Sequence, residues 1–345
     1  MKQRTLLLTF TALASFALFG CNSTSNTGGN NNGGVPAELQ AVINNDDAGN
    51  PAAAGVYGGT DGQDELGLDA AALSGPGSSS PIPDTLKVRW FRKPTSFSDN
   101  HSRSGTADSV FVVSHREVTG LLNGILKVRH NQGHSAQADS VLYQKPFGVS
   151  WNRSAIYKKM TLPTADGEDG TLWVLKSLTL AKATQTSPNL PTPQIVSVTV
   201  SGQDSSGAPL SVTFTDPDQM YDPLSLPKFP LGDSISVKVV TDGTDASQVA
   251  FIHFDNNASD HSQCWRRPLA FNSADNAFEG AFKVREGWGG RHHNNLRARS
   301  AVWVDIMTRP TLYDTDPGIY AASAWGVPYR LFRSLGNHHL ASNLQ

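Results

Sequence analysis

The chain has 345 residues, 17% of them charged, and a formal net charge of −2. No basic excess exists to neutralise phosphates, which argues against nucleic acid as a partner. The 31 Gly and 20 Pro point to a turn-rich chain of short strands, and two cysteines exclude a disulfide-dense scaffold.

The first predicted element is a signal segment. Lys2 and Arg4 form a positive start, and residues 6–19 are predominantly apolar. About 14 residues are too few to span a bilayer as a helix and have the layout of a secretory signal. Leu18-Phe19-Gly20-Cys21 then resembles the lipobox of bacterial lipoprotein signal peptides, with Phe19 where that family usually has a smaller residue. The resemblance implies cleavage after residue 20 and lipidation of Cys21 with fatty acyl chains such as palmitate. The membrane then becomes a partner through the N-terminal lipid. Asn22 stands where an Asp marks inner-membrane retention in enterobacterial lipoproteins, so the resemblance implies the outer membrane.

Residues 22–34 are only Asn, Ser, Thr and Gly. Such a segment buries too little apolar area to offset its ordering entropy, so 21–35 reads as a flexible tether with a reach of roughly 20 Å. Residues 36–83 read as a semi-ordered extension with weak helices over 38–43 and 64–73.

From Thr85 the texture changes. Leu86, Val88 and Trp90 alternate with Lys87, Arg89 and Phe91, the period of a half-buried strand. Further strands are expected over 109–114, 118–122, 125–129, 140–145, 155–160 and 172–180. Asn123-Gly124 reads as a hairpin turn, with a bulge near Gly120 as the alternative. Residues 84–183 thus form a first β domain, and the three prolines of 184–193 suggest an interdomain linker. A second domain, 194–333, shows strands over 194–201, 210–214, 234–240, 249–254, 268–271, 277–283, 301–307 and 326–332. That count suggests an immunoglobulin-like β-sandwich, followed by a tail over 334–345. The expected fold class is therefore all-β, with two antiparallel β-sheet domains.

Three segments carry a looser likeness. Trp90-Phe91-Arg92-Lys93, Tyr143-Gln144-Lys145-Pro146-Phe147 and Ala324-Trp325-Gly326-Val327-Pro328-Tyr329-Arg330 resemble exported two-domain β proteins of environmental bacteria, over most of 36–333. That likeness implies no activity.

Candidate chemistry is sparse. His253, Asp255, Asp260, His261 and Cys264 have donor types suited to zinc, but the His-x₇-His-x₂-Cys spacing matches no recognised site type. A polar loop and a buried thiol are the expected readings. Adjacent His292 and His293 point opposite ways if extended and chelate poorly. Asp216, Asp218 and Asp222 supply carboxylates of the kind calcium takes, without an EF-hand pattern, and Asp61 to Asp69 is a similar acidic stretch.

No nucleophile elbow, zinc-protease helix, phosphate loop or dinucleotide fingerprint occurs, so no catalysis and no cofactor are expected. Trp265, Trp288, Trp303 and Trp325 fall in the second domain. Trp288, set among Gly287, Gly289 and Gly290, and Trp265 beside Arg266 are the candidate ligand contacts, for a glycan or an envelope protein. The functional expectation is a lipid-anchored envelope protein that binds or assembles. A polysaccharide-processing enzyme or accessory and a calcium-dependent adhesion module are the alternatives.

Overall fold

A computed structural model describes residues 39, 42, 66–69, 85–130, 137–163, 169–255, 264–283 and 299–332. Cys21, Asp260, His261, Trp288, His292 and His293 lie outside them, as do the side chains of Asp255, Cys264 and Trp265.

The described chain is nearly all strand, arranged in two antiparallel sheets. The smaller sheet holds β7 (Ile195–Gln203), β8 (Pro209–Phe214), β10 (Ser234–Thr241), β13 (Ala270–Asn272) and β14 (Ala277–Lys283), in the order β13-β14-β10-β7-β8. In β10, Ile235, Val237 and Val239 alternate with more exposed residues, the period-2 pattern that gives a sheet one apolar face.

The larger sheet follows the path β1 (Leu66–Asp69), β2 (Thr85–Gly105), β3 (Ser109–His130), β4 (Gln137–Pro163), β6 (Ala181–Ser187), β16 (Ala322–Phe332), β15 (Arg299–Thr308), β11 (Gln248–Asp255) and β12 (Cys264–Pro268). Off that path, β5 (Asp169–Leu178) pairs with β4, and β9 (Lys228–Pro230) pairs in parallel with β16.

β11, β15 and β16 are largely apolar on both faces because both faces are covered. On one, Ile252, Val304, Ile306 and Val327 join Val198, Val200, Val237 and Phe282 of the smaller sheet in a single core, which makes this part a β-sandwich. On the other, Phe251, Trp303, Met307 and Ala324 meet Val88, Trp90, Leu122, Phe147 and Trp151 from the long strands β2, β3 and β4, which fold over that face. The larger sheet therefore curls. Gly326 lies against the Trp303 ring, where a Cβ would stand 2.7 Å from Cζ2.

Several expected boundaries shift. The three segments 109–114, 118–122 and 125–129 are one strand, β3. Asn123 and Gly124 are not a turn: they sit mid-strand, opposite Phe91 and Trp90 on β2 and Gln144 and Tyr143 on β4. Glycine is needed there because the Tyr143 ring crosses the backbone where a Cβ would project. Residues 66–69 form strand rather than helix, pairing with Thr85–Val88 at the sheet edge. Leu39 and Val42, in the other expected helix, are helical, and Leu39 is fully buried in the sandwich core.

β6 runs into the expected linker and pairs with β4 on one side and β16 on the other. The larger sheet thus continues from residues of the expected first domain into those of the second. A short helix, α1 (Arg309–Tyr313), follows β15 and had no local signal beyond Pro310 at its start.

Candidate functional site

A small depression lies across β2, β3 and β4 and is lined by Asp99, His101, Ser114, His115, Arg116, Trp151 and Arg153. A bulge in β2 builds it. The register with β3 slips between Pro94 and Ser96, where proline has no N–H to donate, leaving Thr95 as an extra residue. Before the bulge, even-numbered Val88, Trp90 and Arg92 face the core; after it, odd-numbered Asp99, His101 and Arg103 take that face. Two cross-strand rows result, Asp99–Arg116–Trp151 and His101–Ser114–Arg153.

In the first row the Asp99 carboxylate accepts from Arg116 Nε and, at 3.0 Å, from Arg116 Nη2. The Arg116 guanidinium lies 5.2 Å from the centroid of the Trp151 ring, which itself packs on Trp303 at 4.9 Å. A paired, stacked guanidinium of this kind has little rotamer freedom left. In the second row Ser114 Oγ and His101 Nδ1 are 3.0 Å apart. Arg153 has no carboxylate partner among the described residues. It stands where β4 passes from pairing with β6, ending at Asn152, to pairing with β5, beginning at Ala155. One row further, exposed Arg103 pairs with Val112 on the same face.

Ser114 sits within a continuous strand rather than at a turn or helix start. β3 is laddered on both edges through Ser114, to β2 and to β4.

On the opposite face, His115 Nδ1 is 2.8 Å from Asn152 Oδ1 and its Nε2 is 3.4 Å from Glu117 Oε1. The Asn152 contact raises the imidazole above its ordinary value, burial opposes it, and Glu117 assists.

A second polar constellation is wholly interior. Arg92 on β2 makes a two-point contact with Asp305 on β15, Nη1 to Oδ2 at 2.7 Å and Nη2 to Oδ1 at 3.2 Å. His253 on β11 places Nε2 3.3 Å from the same Oδ2. Burial works against ionisation of Asp305, yet Arg92 and His253 outweigh it and hold the carboxyl down at about 2. Burial pushes His253 below its usual range, against the pull of Asp305, so its ring is neutral at neutral pH. A carboxylate only accepts, so Nε2 carries the ring proton. Nothing in the sequence flagged Arg92 and Asp305 as partners, since they are 213 positions apart.

Arg266, expected beside Trp265 as a ligand contact, is buried among these groups. Its guanidinium stacks on Trp90 at 3.6 Å and lies 5.5 Å from the Phe251 ring. Burial against core rings gives it structural work and removes it from solvent.

Asp216 and Asp222 serve as turn caps, their Oδ1 atoms accepting from the backbone N–H of Asp218 at 2.9 Å and of Leu224 at 2.8 Å. Among the described residues no group of three metal-ligating side chains is gathered, there or elsewhere. Trp303 and Trp325 are core residues on opposite faces of the larger sheet. Lys145 is buried on β4 and donates from Nζ to the Pro310 carbonyl at 2.8 Å; burial lowers its amine to about 8, against the pull of Asp314 and Asp316.

Comparison with protein-family models, with curated proteins and with solved structures returned no match.

Proposed function

We propose that this chain is a lipid-anchored protein of the bacterial cell envelope, held in the outer membrane through Cys21, and that it acts by binding or assembly rather than by catalysis. The observation that carries the reading is the Leu18-Phe19-Gly20-Cys21 motif followed directly by 13 residues of Asn, Ser, Thr and Gly. A lipidated cysteine needs a spacer of that kind to lift a domain off the headgroups. The all-β architecture is in keeping with a binding role, as is the depression across β2, β3 and β4, to which Arg116 and Arg153 contribute. Within this reading, residues 194–333 are an immunoglobulin-like module on which the long strands are built.

The test is the Cys21→Ser chain expressed beside the wild type in a Gram-negative host and fed an alkyne-labelled palmitate. Wild-type protein is expected in the membrane fraction carrying the label, and the variant in the soluble fraction without it. A variant that still takes up label and sediments with membranes overturns the anchor.

A further inference from the structure

We infer that the groove across β2, β3 and β4 binds the acidic groups of an envelope polysaccharide, with Arg153 and Arg103 as charge contacts and Ser114 and His101 as hydrogen-bonding partners. The inference names a ligand class for the binding role proposed above.

Three arginines and a histidine share this face with a single carboxylate, Asp99, among the lining and adjacent residues. That carboxylate is consumed by Arg116, which the Trp151 ring holds in place. Arg153 and Arg103 remain for an incoming oxyanion. Guanidinium matches a carboxylate or a phosphate through paired N–H donors, so the shared ligand chemistry is a hydrogen-bond-accepting acid.

The shape favours a polymer over a small molecule. Small ligands need concave sites that enclose most of their surface, and this depression is too small to enclose one. Arg103 and Arg153 are two strands and one same-face step apart, which puts their backbones roughly 12 Å from each other. That spacing suits successive charges on one chain lying across the strands. Between them, the Ser114 hydroxyl and the His101 ring offer the polar contacts that a hydroxyl-rich backbone uses. Apolar residues bound the groove along the same face, Val118 and Trp151 toward one end, Val112 and Ala155 toward the other, so the polar stretch is confined.

The test uses the full-length Cys21→Ser chain, which needs no membrane. Titration calorimetry against polygalacturonate, a phosphorylated mannan and neutral dextran is expected to give saturable, salt-weakened binding to an acidic polymer and none to dextran. A preference for polygalacturonate or for the mannan identifies the acid as carboxylate or phosphate; either supports the site. Arg153→Gln and Arg103→Gln should each weaken binding tenfold or more, with Arg153→Lys retaining part of it. Lys158→Gln removes an exposed charge from the opposite face of β4 and should leave binding unchanged. Circular dichroism on every variant separates lost binding from lost fold.

Dextran bound as tightly as the acidic polymers overturns the site, as does equal weakening by Arg153→Gln and Lys158→Gln. An envelope component captured by the wild type and retained by Arg153→Gln sinks the groove while keeping the binding role. Failure of palmitate labelling touches the anchor alone.

Discussion

The guanidinium of Arg266 lies 3.6 Å from the centroid of the Trp90 ring and donates through Nη2 to the Trp90 carbonyl oxygen at 3.1 Å. Arg266 is on β12, the last strand of the larger sheet's path, and Trp90 is on β2, next to its beginning. No ladder joins β12 to β2, so the curled sheet is clasped at this point by a stacked cation instead of by strand pairing.

Replacing that clasp should be felt even by a residue of the same charge. Lysine is a compact point charge that cannot lie flat on an indole, so Arg266→Lys is expected to destabilise by about 1–2 kcal/mol and Arg266→Ala by more. Urea denaturation followed by tryptophan fluorescence measures this directly. An unchanged midpoint in Arg266→Lys would show that the stacking contributes nothing.

The Arg92–Asp305 pair predicts an asymmetry between single and double substitutions. Asp305→Ala strands a buried guanidinium and should cost about 3–5 kcal/mol, whereas Arg92→Met with Asp305→Leu removes both charges and should come out much milder. The reason is that desolvation is incurred by each ion separately, while their attraction exists only together. A double-mutant cycle in which the two single losses simply add would contradict the contact.

Acid should lower the protein's stability over two pH windows. The pKa of His253 is lower folded than unfolded, so the unfolded chain takes up the extra proton and stability falls as pH drops below about 6.5. The Asp305 carboxyl is also depressed, to about 2, so its contribution is intact above its unfolded value near 4 and is lost as pH falls toward 2. Melting temperatures taken from pH 8 to pH 3 check both. His253→Gln should flatten the upper limb, while the lower one persists through the Arg92 contact to Asp305.

Gly124→Ala tests whether that glycine serves a close approach. The methyl group would collide with the Tyr143 ring, whose hydroxyl donates to the Leu312 carbonyl at the end of α1. A displaced ring and a strained core should cost about 1–3 kcal/mol. If Gly124→Ala folds with wild-type stability, the ring has room that the structure does not give it.

Gly124 also marks the limit of what was legible in advance. Alternation along 85–91 and the apolar run 301–307 identified β2 and β15 because each pattern is local. Asn-Gly between apolar runs has two physical meanings, a left-handed turn or a missing side chain, and only the position of Tyr143 decides between them. The groove was illegible for a related reason. Asp99, Ser114 and Arg153 are unremarkable singly, and the bulge at Pro94 determines which of their neighbours share a face. Arg266 was visible as a charge beside an aromatic residue. Its actual ring partner is Trp90, which is 176 positions away.

β2 and β3 pair without a change of partner from Thr85–Arg129 to Gly105–Val110, interrupted only by the bulge. Asp99 and His101 lie roughly 45 and 50 Å along β2 from Thr85, at about 3.3 Å per residue. A pull between Thr85 and the groove would therefore run parallel to the strands. Loaded in this direction, the ladder must yield as a whole, because its hydrogen bonds are sheared together instead of being unzipped one after another. The long hairpin is thus oriented so that tension along its length is shared by the whole ladder.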